Sequence, residues 1–320
     1  MSTMEDKFSH LPDISTTQPD RLIKYRVSDD GFAAEVLLPG FSYTDFDRKI
    51  GGRLFMWSLA KLIEAVRWQG LKHGFIHYPR MCHGTNLGLF VVGQWFKISE
   101  NLHDLHNYDN SYGIDKPLHF IQYVSNVGKS SFSFVLDWIE RGNGEILVRV
   151  ITNIVLVNLQ TRRPETLPEY FFIGLNDHLK LAEAVLQTTE WNRKMPLEDL
   201  KMSYRVNIKV LHSDVDMYGH VNQATYFKWC SDATSEAAKS GHLPRFTKHI
   251  ERYSVKEVQA IYKGEALANE VVTVAVQRNG EEDNVVTCAI ENKGNVIFTM
   301  KMSLYDKPAV SVDQHLESKL

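Results

Sequence analysis

One order of elements occurs twice in this chain and constrains its fold more than any other feature. In the second half, "SYRVNIKV" reads as a strand and the polar stretch from His212 to Asn222 as a loop. "QATYFKWCSDATSEAAKSG" then reads as a helix, with Gly241 as its stop. Four runs rich in Val, Ile, Thr and aromatics follow: "YSVKEVQAIYK", "EVVTVAVQRNG", "NVVTCAIEN" and "NVIFTMKMSLY". Asn279-Gly280 and Lys293-Gly294 are turn signals between them. The first half repeats the order. "AAEVLLPG" is a strand and "FSYTDFDRKIGG" a loop, and the helix "RLFMWSLAKLIEAVRWQG" has Phe55, Leu59, Leu62, Ile63 and Val66 at helical spacing. "LGLFVVGQWFKI", "LHFIQYVSNV", "FSFVLDWIERG" and "EILVRVITNIVLVNL" are its long strands. The repeat, about 110 to 140 residues long, is one of pattern and not of identity.

One long helix beside one long antiparallel sheet is an α+β arrangement. A sheet curling round the helix buries the helix's apolar face, and pairing two such sheets removes exposed edges. The expected organisation is a flexible tail over 1–19, a first domain over 20–160 and a connector over 161–197. A second domain over 198–306 and a tail over 307–320 complete it. The connector carries a probable helix, "LNDHLKLAEAVLQ".

The loop before the second helix concentrates the chemistry. "HSDVDMYGHVNQATYFKW" sets Asp214, Asp216, His220 and Asn222 within nine residues. It mimics the start of a calcium loop, but its fifth position is Tyr218 and its twelfth Thr225, neither a carboxylate, which rejects calcium. Asn222 is a good helix N-cap, and Asp214 suits a turn-closing role through its backbone.

The stretch "DVDMYGHVNQATYFKW" resembles the hotdog-fold thioesterases, and the two-unit layout resembles their acyl-ACP thioesterase branch, in which one chain carries two tandem hotdogs. The resemblance covers roughly residues 20 to 306. It implies two tandem hotdog domains, each a long antiparallel sheet wrapped around a central helix. It puts the catalytic carboxylate on Asp216, the histidine on His220 and the asparagine on Asn222, with Tyr218, Gly219 and Gln223 beside the substrate. Three positions depart from the acyl-ACP branch: Tyr218 replaces an Asn, Gln223 replaces a second Asn, and Tyr262 stands where a further acid is expected. These departures favour a one-carboxylate scheme of the kind the CoA-dependent hotdogs use.

The chemistry is consistent with that. Thioester hydrolysis needs an activated water or nucleophile and donors for the developing oxyanion. No G-x-S-x-G elbow occurs in the chain. Asp216 can act as general base or by direct attack. A helix beginning at Asn222 or Gln223 offers backbone N–H groups for the oxyanion. His220 is expected to orient Asp216 or the water, or to meet the thioester. In the first half, Asp47 is kept but Gly51 stands for His220 and Arg53 for Asn222, so one competent site per chain is expected. The first unit would then shape the acyl pocket, with Phe55, Trp57 and Trp68 as candidate walls.

The rest of the chain narrows the setting. A hydrophobic fraction of 43% with 23% charged residues is globular, and the formal charge of -3 carries no basic block for nucleic acid. No run reaches the roughly 18 to 20 apolar residues that cross a bilayer, and "MSTMEDKFSHLPDISTTQPD" lacks signal-peptide regions. Three widely spaced cysteines, Cys82, Cys230 and Cys288, favour a reducing compartment. "KHGFIHYPRMCHG" has no paired zinc spacing. No tightly bound cofactor or metal is implied. Ser318-Lys319-Leu320 reads as the address taken by the peroxisomal import receptor, which points to the peroxisome matrix and to acyl-CoA as substrate. One chain already supplies a hotdog pair, so a monomer and a homodimer both fit. The competing readings are a hotdog enoyl-CoA hydratase, whose D-x-N-P-x-H motif is not matched here, and a non-catalytic acyl-CoA-binding protein.

Overall fold

The computed structural model describes residues 4–17, 22–47, 53–104, 117–186, 203–278 and 283–306. The chain divides into two compact units. The first gathers Met1–Gly40, Ile63–Phe96 and Ile114–Trp191, and the second Phe41–Leu62, Lys97–Gly113 and Asn192–Leu320.

In the first unit the strands are β1 (Lys24–Val27), β2 (Ala33–Leu38), β3 (Leu87–Ile98), β4 (Leu118–Val127), β5 (Ser131–Ile139) and β6 (Ile146–Asn158). Their spatial order is β1-β2-β4-β5-β6-β3. The registers along β1, β2, β4, β5 and β6 are antiparallel. Alternation along β4 serves two faces. Gln122 faces the helix α1 (Met56–Lys72) and donates through Nε2 to the Val66 carbonyl at 3.5 Å. Ile121 and Tyr123 face the other way, into a buried cluster with Val135, Ile151, Met4, Phe8 and Ala182. Ala182 belongs to α2 (Leu175–Leu186), the helix expected in the connector.

Two expectations change here. Met4 and Phe8, expected in a loose tail, are 5% and 3% exposed. Burying such side chains is worth about 1.5–3 kcal/mol each, enough to hold a short segment on a sheet face. The connector helix is also part of the unit's core, tied down by His178. Burial, and then Lys7, lower the His178 imidazole to about 4, so near neutral pH it is uncharged. Its Nε2 then donates to the Val124 carbonyl at 2.6 Å while Nδ1 accepts from Lys7 Nζ at 2.7 Å.

In the second unit β7 (Tyr204–Lys209), β8 (Val255–Tyr262), β9 (Val271–Arg278), β10 (Val285–Asn292) and β11 (Asn295–Leu304) form an antiparallel sheet in the order β8-β11-β10-β9-β7. The β10–β11 hairpin closes on Lys293 (φ 51) and Gly294 (φ 80), the paired positive φ of a type I′ turn. The Asn279-Gly280 turn lies outside the described residues. Helix α3 (Gln223–Lys239) lies on the sheet. Its buried side chains Ala224, Ala233, Ala237 and Ala238 are small, which allows close approach. Phe227 and Phe298 fill the wider end, 6.0 Å apart. The helix ends in a Schellman pattern: Gly241 N–H donates to the Ala238 carbonyl and His242 N–H to the Ala237 carbonyl. The expected stop at Gly241 is therefore observed.

Candidate active site

The loop between β7 and α3 is folded by its own polar groups. Asp214 Oδ2 accepts the Leu211 N–H at 2.8 Å, and the Asp214 carbonyl accepts the Asn222 N–H at 2.9 Å. Asp214 thus closes the loop. Inside it, Val215 and Val221 form a bridge, and Asp216 N–H donates to the His220 carbonyl at 2.8 Å. This is a hairpin with a three-residue tip, Met217-Tyr218-Gly219. Gly219 (φ 80) takes the left-handed position that such a tip requires. Asp216 Oδ1 accepts the Tyr218 N–H at 2.8 Å. One carboxylate oxygen is therefore fixed by the turn while the residue stays half-buried.

Asn222 caps α3. Its Oδ1 accepts the Ala224 N–H at 2.9 Å, and its carbonyl accepts the Thr225 N–H at 2.9 Å. The Ala224 and Thr225 amides at the helix start are therefore already engaged, which leaves less of this terminus for the expected oxyanion role. The partial positive charge of the helix end remains directed at the loop. Tyr218, expected against substrate, is 61% exposed at the hairpin tip, and Gly219 is exposed with it. Gln223 is half-buried at the first helical position.

His220 finds a partner that the sequence reading passed over. Its Nε2 lies 3.3 Å from Glu265 Oε2, and both side chains remain partly open to solvent. Tyr262, the position where a further acid is expected, carries none, and the carboxylate that meets His220 comes three residues later. Strand β8 ends at Tyr262, and the N–H groups of Lys263 and Gly264 both turn onto the Ile297 carbonyl. Glu265 is the next residue along, and its side chain reaches back to His220. Glu265 thus adds a carboxylate beside the loop that carries Asp216 and His220.

The segment carrying Glu265 is secured by Glu270. Its carboxylate accepts from Lys293 Nζ at 2.6 Å, Leu267 N–H at 2.9 Å and Asn292 Nδ2 at 2.8 Å. These bonds, that from Lys293 first, hold its pKa down at about 2, from 4.5. A lowered folded-state pKa stabilises above the unfolded value and is lost as pH falls through the folded one. The contribution is thus complete above about pH 4.5 and fades toward pH 2. In thermal scans between pH 5 and 3, wild type should lose more melting temperature than Glu270→Gln. Equal losses would contradict this role.

The other sequence candidates are placed elsewhere. His73 stacks on Tyr25 with ring centres 3.4 Å apart, His83 meets Tyr78 edge-on, and burial pushes the Cys82 thiol up to about 11. Among the described residues no group of three or more His, Cys, Asp or Glu converges on a metal-sized site. Arg53 donates to Ser254 Oγ at 2.6 Å, while Gly51 lies outside the described residues. Phe55 lines a cavity of about 40 Å³ in the second unit, together with Leu59, Ser231, Tyr253 and Met302. Trp68 is 42% exposed and meets Tyr78 edge-on. Among the described residues no helix is long and apolar enough to cross a membrane.

Comparison with known proteins fits this geometry. Residues 197–304 match the acyl-ACP thioesterase C-terminal domain. A chloroplastic acyl-[acyl-carrier-protein] hydrolase of Cuphea viscosissima is 28% identical over 116 residues, 35% of this chain and 27% of that protein. The chain thus matches about a quarter of that relative's length. The solved 12:0-ACP thioesterase of Umbellularia californica superposes with a TM-score of 0.63 at 15% identity, over 90% of this chain and 98% of that one. An acyl-ACP thioesterase of Bacteroides thetaiotaomicron gives 0.59 at 15% identity, over 85% and 97%. Fold and sequence motif give the class by similarity: the chain has the fold of these solved thioesterases. More narrowly, the part that carries the loop and α3, residues 197–304, is similar to the C-terminal domain of acyl-ACP thioesterases.

Proposed function

We propose that this protein hydrolyses acyl-CoA thioesters to the free acid and CoA. The observation that carries the proposal is the set of Asp216, His220 and Glu265 at the amino end of α3, in a unit that matches a thioesterase domain. In this reading the acyl carbonyl lies over the start of α3. Asp216 takes the proton of the attacking water, or attacks directly, using the oxygen that the Tyr218 N–H leaves open. Glu265 orients the imidazole of His220 through Nε2, so the ring presents Nδ1 to the reacting atoms. The partial positive charge of the helix end favours the oxyanion.

Acyl-CoA, as opposed to an acyl carrier protein, is the finer part of the proposal. Its support is the set of departures from the acyl-ACP branch at Tyr218, Gln223 and Tyr262, together with the peroxisomal address at Ser318-Lys319-Leu320, which lies outside the described residues. We propose peroxisomal delivery on the same ground.

The test is thiol release from one acyl group presented on CoA and on acyl carrier protein, over chains from short to very long. Release from CoA thioesters, at least tenfold faster than from the carrier protein, is the expected result. The opposite preference would assign the carrier-protein substrate. Failure to release thiol from either would overturn the hydrolase reading. A fluorescent fusion carrying the native C-terminus should enter peroxisomes and lose that location when Leu320 is deleted.

A further inference from the structure

Tyr226 belongs to helix α3. It sits one turn inside α3 and is 3% exposed. Its ring lies nearly parallel to Phe298 at 5.1 Å and meets Trp229 and Tyr262 edge-on at 5.7 and 6.0 Å. A phenylalanine would fill that space as well, so packing does not account for the hydroxyl.

The hydroxyl has a defined use. Tyr226 Oη accepts the Ala266 N–H at 3.2 Å. That N–H belongs to the peptide bond joining Glu265 to Ala266. The Ala266 carbonyl in turn accepts the N–H of Val221, the residue after His220, at 3.0 Å. Ala266 is therefore held at one end by the chain next to His220 and at the other by a side chain of the helix that follows it. Two hydrogen bonds set the spacing of His220 and Glu265 before their side chains meet at 3.3 Å. Burial pushes the phenol up to about 12, with the nearby carboxylates Glu265, Asp216 and Glu270 adding to the effect. The group stays a neutral hydroxyl across the working pH range.

We infer that Tyr226 is a positioning residue, whose hydroxyl fixes the Glu265–Ala266 peptide so that the Glu265 carboxylate stays on His220. Its rate consequences rest on the proposed thioesterase reading. The placement itself does not.

Tyr226→Phe is the test, with Tyr262→Phe as the control that disturbs the same aromatic cluster without touching Ala266. In Tyr226→Phe the Ala266 amide should exchange with solvent at least tenfold faster, and the His220 ring resonances should move at fixed pH. The control should change neither. If the protein hydrolyses thioesters, kcat should fall about tenfold with KM within twofold, and Tyr226→Phe should add no further loss in a Glu265→Gln background. Three results would each overturn the inference: an unchanged Ala266 exchange rate, a lowered melting temperature with His220 resonances in place, or losses that multiply in the double variant. Because exchange and resonances need no turnover, a wild type without thioesterase activity would defeat the proposed function while still deciding this inference.

Discussion

Asp216→Asn is expected to fold like wild type and to lose thioester hydrolysis by about a thousandfold. The amide keeps the shape and the Oδ1 that accepts the Tyr218 N–H, so the hairpin that presents His220 survives. What disappears is the basicity of the second oxygen. Loss of a general base costs roughly 100- to 10,000-fold, and loss of an attacking carboxylate falls at the upper end. A thousandfold is ~4 kcal/mol of transition-state stabilisation. Circular dichroism and the melting temperature check folding, and a thiol-reactive dye reads the rate. A folded variant that kept more than a tenth of wild-type rate would remove Asp216 from the chemistry and transfer the base role to His220.

His220 and Glu265 give the second large effect. His220→Ala should cost about a hundredfold and Glu265→Gln about tenfold, since the glutamine still reaches the ring without a charge. If Glu265 acts only by holding His220, the double variant should be no slower than His220→Ala alone. Losses that multiply, to about a thousandfold, would mean that Glu265 meets the substrate or water itself. The 3.3 Å approach of Nε2 to Oε2 argues for the first outcome. The exposure of both side chains costs little in stability, because a surface ion pair is worth about 0–1 kcal/mol. The expected change is therefore in rate and not in melting temperature.

Much of this was legible from the residues. The strands of both halves lie where their β-branched and aromatic runs put them, and α3 starts and stops at the signals Asn222 and Gly241. The turn role of Asp214 also followed, because an Asp side chain closing a loop over its neighbours is a matter of a few residues. The histidines at 73, 77 and 83 were read as ordinary structural residues, and they pack against aromatic rings.

Other features did not follow. Tyr262 stands where the resemblance expects an acid, and the carboxylate that meets His220 comes three residues later, at Glu265. Where β8 ends depends on its partner β11, since the amides of Lys263 and Gly264 leave the sheet by sharing the Ile297 carbonyl. Nothing local to "AIYKGEALANE" states that. The burial of Met4 and Phe8 likewise depends on an apolar sheet face built from strands far along the chain.

The sequence by itself determined the elements, the cap, the turn role of Asp214 and the motif that carries Asp216 and His220. Periodicity, capping and turn chemistry act over a few residues, so the chain's own order is sufficient for them. Only the tertiary structure decided which carboxylate meets His220 and what the Tyr226 hydroxyl is for. Both depend on strand register and on the distance between the helix and the neck of β8. Those are set by packing between segments that the sequence leaves apart.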